Sequence, residues 1–123
     1  MKIYLLSLIF VFALPFFTSA SGVVINEVMF DPAGDDSASG VGKEWIEIYN
    51  GGDVTADLSG WELYSDGIGY FNFSKGFLLA SKNIAVIHLR ASGTDSASDL
   101  YFPSAGSNMG NTSGSAALFS AEP

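Results

Sequence analysis

Residues 43–52 read KEWIEIYNGG, two carboxylates set in a run of tryptophan, isoleucine and tyrosine that closes on Asn-Gly-Gly. In an extended chain successive side chains point to opposite sides, so Glu44, Ile46, Ile48 and Asn50 share one face while Trp45, Glu47 and Tyr49 share the other. The two isoleucines mark the buried row. Trp45, Glu47 and Tyr49 are then expected on the outward face, where amphipathic rings and a carboxylate are cheaply accommodated. The opposite assignment would bury Glu47 between two rings in a chain with few cations to neutralise it.

The same alternation of short apolar runs with Gly, Ser, Asn and Asp clusters extends along the chain beyond its first twenty residues, where no stretch repeats apolar residues at helical spacing across three turns. Strands are expected at 23–30, 44–50, 53–58, 60–65, 70–73, 77–80, 83–89, 99–102 and 115–120. Asn50-Gly51-Gly52-Asp53, Ser59-Gly60, Ser65-Asp66-Gly67 and Ser74-Lys75-Gly76 supply the turns. An all-β fold of two packed sheets follows. Strict alternation over 23–30 places Val24, Asn26, Val28 and Phe30 on one side and Val23, Ile25, Glu27 and Met29 on the other. Both rows are largely apolar, as in a strand interior to a sheet or shielded on both faces. Segments 31–42 and 91–98 lack side chains large enough to pack and are expected to be mobile surface loops.

With 123 residues the chain holds one domain. Its start, MKIYLLSLIFVFALPFFTSAS, has Lys2, an apolar core and small residues up to Ala20, the layout of a secretory signal peptide. The expected organisation is a signal peptide over 1–20 and a β-domain over 21–123, secreted or at the cell surface. Membrane contact is expected only during export or through an uncleaved anchor. The chain has no cysteine, so an exported domain must hold together by packing, without disulfides.

The formal net charge is −8, and beyond Lys2 the only cations are Lys43, Lys75, Lys82 and Arg90. No basic patch can form, which excludes nucleic acid as a partner. Zinc lacks ligands in a chain with one histidine and no cysteine. Calcium fits better with Asp31, Asp35 and Asp36 crowded into one loop, although their spacing departs from an EF-hand.

Catalytic patterns are weak. Glu44 and Glu47 fall on opposite faces and cannot flank one glycosidic bond together. His88 stands between Ile87 and Leu89 with no partner evident in sequence, and no G-x-S-x-G elbow is present. The outward Trp45, Glu47 and Tyr49 instead suggest a binding surface for protein or polysaccharide.

The blocks INEVMFDP (25–32), KEWIEIYNGGD (43–53), DLSGWEL (57–63), NIAVIHL (83–89) and NMGNTSGSAALFS (108–120) follow one another in the order seen in the lamin tail domain family, which this chain resembles from about Val23 to Ser120. The resemblance implies an immunoglobulin-like β-sandwich with Trp61 in the position of the family's packed tryptophan, and a structural or interaction module with no catalytic residues to carry over. In prokaryotic members it implies an accessory domain of secreted and surface proteins. The family pattern continues past the AALFS strand with a turn and a final strand. A sandwich lacking its last strand is therefore expected, as part of a longer polypeptide. The function expected is a non-catalytic structural or interaction module, the alternative being a calcium-dependent or carbohydrate-binding β-sandwich.

Overall fold

The structure, a computed structural model, describes residues 22–34 and 43–121. The signal segment expected over 1–20, and Asp35 and Asp36, lie outside the described residues. Nine strands form and no helix occurs among the described residues: β1 (Val23–Met29), β2 (Trp45–Asn50), β3 (Ala56–Asp57), β4 (Glu62–Ser65), β5 (Gly69–Asn72), β6 (Leu78–Leu79), β7 (Ile84–Leu89), β8 (Asp99–Phe102) and β9 (Ala116–Phe119). Each overlaps one of the expected segments, most of them shortened where Asn, Asp, Gly or Ser favours a turn, with β5 shifted by one residue.

One sheet has the order β1-β2-β7-β8, another β5-β4-β9, and a short ribbon pairs β3 with β6. All pairings are antiparallel except β7 with β8, which run parallel. The four-stranded sheet directs Ile46, Ile48, Ala85, Ile87, Leu89 and Leu100 inward, where they meet Leu58, Leu63, Phe73 and Leu79 in one cluster. Trp61 packs against that cluster. This is the two-layer, all-β arrangement of an immunoglobulin-like sandwich. Burying each isoleucine or leucine contributes about 1.5–3 kcal/mol, enough for a cysteine-free core to hold.

β2 obeys the alternation expected of it: Glu44, Ile46, Ile48 and Asn50 are 2%, 1%, 0% and 1% exposed. The two polar members of that row are bound. Glu44 Oε1 accepts the Met109 N–H at 2.8 Å, fastening the 105–115 crossing over the end of the core. Asn50 donates through Nδ2 to the carbonyls of Val54 and Leu79, both at 2.9 Å, and its Oδ1 accepts the Gly52 N–H at 3.0 Å.

β1 departs from strict alternation. Ile25 stands opposite Ile48, yet Glu27 stands opposite Glu47, so Asn26 is an extra residue in a β-bulge. The bulge reverses the faces beyond it. Val23, Ile25 and Val28 turn toward the core, while Glu27 and Met29 join Val24 outside. The two rows expected over 23–30 therefore hold through Asn26 and are wrong from Glu27 onward. β1 is also a sheet edge with Val24 exposed on its outer side, so it is neither interior to the sheet nor shielded on both faces. The physical reason is that continued alternation would drive the Glu27 carboxylate into the apolar layer, whereas one inserted residue substitutes Val28.

Segment 91–98 is exposed from Ser92 onward, but it is pinned by hydrogen bonds rather than loose. Val86 N–H donates to Ser98 O at 2.8 Å, Ser96 N–H to Asp99 O at 2.8 Å, and Tyr101 N–H to Asp95 Oδ1 at 3.0 Å. Gly93 lies against the Tyr101 ring so closely that a Cβ would come within 2.3 Å of it. A missing side chain here permits close packing, which a reading of small residues as loose ones overlooks.

Candidate functional site

The outer face of the β1-β2-β7-β8 sheet brings the outward residues of four strands into register. Val24, Tyr49 and Ile84 form one cross-strand row; Glu27, Glu47, Val86 and Asp99 form the next; Met29, Trp45, His88 and Tyr101 form the third. Trp45, Glu47 and Tyr49 thus share a face, as their spacing requires, and all three are half-buried by their neighbours. The first row is open: Val24 and Ile84 are 49% and 43% exposed on either side of Tyr49. In the middle row Asn26 Nδ2 donates to Glu47 Oε1 at 2.6 Å, so the bulge residue is folded onto the same carboxylate that Glu27 opposes.

The third row is better covered. The His88 ring stacks on Tyr101 with centroids 5.1 Å apart and planes 24° apart. His88 Nε2 donates to Asp99 Oδ1 at 2.9 Å, and Ser98 Oγ donates to Asp99 Oδ2 at 2.7 Å. The His88 hydrogen bond, followed by that of Ser98, holds the Asp99 carboxyl below the usual aspartate range. The other ring nitrogen, Nδ1, is buried with no hydrogen-bond partner among the described residues. Histidine, aspartate and serine are therefore adjacent in an order unlike a nucleophilic triad, because the serine hydroxyl is bonded to the carboxylate instead of the imidazole.

Glu27, Glu44 and His88 do not converge. Glu44 belongs to the inner face, and Glu27 and His88 sit in different rows of the outer one. Asp31 is exposed, and the Asn111 amide lies 3.4 Å from its Oδ1. No cluster of three or more His, Cys, Asp or Glu with metal-binding geometry occurs among the described residues. At the side of the sandwich, a groove of about 330 Å³ runs between the ends of β1 and β9, lined by Val28, Phe30, Met109 and Ala116 with Asp66 at its margin. Both Asp66 oxygens are engaged, Oδ1 by the Tyr64 hydroxyl at 2.8 Å and Oδ2 by the Ser115 N–H and hydroxyl at 2.9 Å. The Tyr64 bond, then those of Ser115, hold its carboxyl below the ordinary value.

Asp99, Tyr101 and Asn26 were not legible as members of the outer face. Parallel pairing brings the first two beside His88 and a bulge supplies the third, and neither leaves a periodic signature in a single sequence. The Lamin Tail Domain family model matches residues 17–122. Among curated proteins none matches this chain significantly.

Proposed function

The chain belongs to the lamin tail domain family, and on that premise we propose that it is a non-catalytic interaction module of an exported or cell-surface protein, binding a partner through the outer face of its four-stranded sheet. The observation that carries this is the open row of Val24, Tyr49 and Ile84, an apolar and aromatic surface of the kind that marks recognition sites, on the same face as Trp45. The engagement of Ser98 with Asp99, and the separation of Glu44 from His88 by the thickness of the sheet, favour binding over catalysis. Export rests on the basic start, apolar core and small residues of 1–20.

A Trp45→Ala/Tyr49→Ala double variant tests the surface. Both side chains are only half-buried, so the variant folds, and its retention on envelope preparations of the producing cells is expected to drop well below that of the parent chain. Equal retention of the two proteins refutes the assignment. Fusion of residues 1–22 to a reporter active only after export tests localisation, with a silent reporter counting against it.

A further inference from the structure

Taking that face as the binding surface, we propose that its occupant is an extended, cationic segment of a partner protein, one of whose arginine or lysine side chains seats at the Glu27–Glu47 pair between the rings of Trp45 and Tyr49. Glu27 and Glu47 are direct cross-strand partners. Side chains so placed have Cβ atoms about 4.5–5.5 Å apart, and like charges at that spacing repel. Nothing described relieves the repulsion. Neither the Lys82–Asp53 ion pair nor the His88–Asp99 hydrogen bond reaches these two carboxylates, and the strand positions on this face carry no lysine or arginine. Asn26 donates one hydrogen bond to Glu47 but adds no charge.

The flanking residues select the kind of cation. Trp45 and Tyr49 lie two residues to either side of Glu47 on the same face, about 7 Å away along the strand. A guanidinium or ammonium at the carboxylates is therefore within reach of aromatic rings on both sides, combining charge pairing with cation–π attraction. A neutral glycan stacks on the rings yet leaves the two carboxylates opposed. A bare metal ion finds too few ligands, since no group of three is assembled here. A second copy of a chain carrying −8 is repelled at its acidic face. An extended basic peptide answers both the charge and the flat, four-strand-wide shape.

Titration calorimetry with a capped hexa-arginine peptide, and in parallel with the neutral cellohexaose, tests the assignment on the parent chain and on Glu27→Gln/Glu47→Gln, Trp45→Ala and Glu62→Gln. Glu62 faces outward from the opposite sheet, so its substitution removes charge without touching this face. Hexa-arginine is expected to bind the parent chain, to bind the double variant about tenfold or more weakly, and to bind Glu62→Gln within about twofold of the parent. The double variant should also melt no lower than the parent, because a repulsion has been removed. Equal weakening by Glu62→Gln and the double variant overturns the proposal in favour of attraction to net charge alone. Binding of cellohexaose in place of hexa-arginine, lost in Trp45→Ala, overturns the cationic occupant while leaving the interaction surface intact. If neither probe binds, the cationic occupant falls, and the envelope-retention comparison separately decides the surface.

Discussion

Asn50 offers the sharpest test of how this fold is held. It is 1% exposed at the end of β2, with three side-chain hydrogen bonds reaching Gly52, Val54 and Leu79. Its backbone is equally committed, its N–H donating to Asn83 O at 3.0 Å and its carbonyl accepting from Lys82 N–H at 2.8 Å. One amide thus joins the four-stranded sheet to the turn after β2 and to the β3-β6 ribbon. A net stabilisation of about 1 kcal/mol per bond puts the cost of Asn50→Ala at about 3 kcal/mol, before the penalty for the buried Leu79 carbonyl left without that partner. In a domain of this size that corresponds to a fall in Tm of about 12–24 °C. Asn50→Asp keeps the shape but turns an oxygen toward two carbonyl oxygens and buries charge, so it is expected to cost more than alanine at neutral pH. Part of that loss should return in acid, where a protonated carboxyl donates one bond. Urea denaturation with a common m-value measures both variants. A loss under about 1 kcal/mol for Asn50→Ala, or an Asn50→Asp chain as stable as the alanine variant, would refute the reasoning.

The β4–β5 hairpin turns at Gly67, where φ is +77° and a Cβ would meet the Asn108 carbonyl oxygen at 2.2 Å, so Gly67→Ala should destabilise by more than about 2 kcal/mol in the same denaturation assay. A milder loss would mean that the 105–110 crossing yields freely. Asp66 titrates in the opposite sense to a group stabilised by protonation. Its folded-state value lies below the ordinary one, so its contribution is full above the ordinary aspartate range and vanishes as pH falls through the lowered folded value. Asp66→Asn is expected to flatten the decline of Tm below about pH 4, and an unchanged acid limb would exclude this role.

Much of the architecture was legible from residue order alone. Ile46 and Ile48 could be assigned inward, and all nine strands located, because the side-chain period of an extended chain is local and turn residues interrupt it locally. The assignment of Trp45, Glu47 and Tyr49 to one face followed from the same period. Gly93 is where that approach misled. A run of small residues suggests looseness by composition, whereas the absent Cβ lets the loop lie against Tyr101.

Residue order accounts for the strand set, the inner row of β2 and the acidic, cysteine-free composition. Tertiary structure alone decided that Glu27 faces outward beside Glu47, that Asp99 and Tyr101 join His88, and that Glu44 receives the backbone of Met109 from 65 residues away. The difference is physical. Alternation is imposed by each residue's own backbone, whereas a bulge, a parallel pairing and a buried acceptor's partner are selected by which distant segments meet, and by the cost of leaving charge or hydrogen-bonding groups unsatisfied where they do.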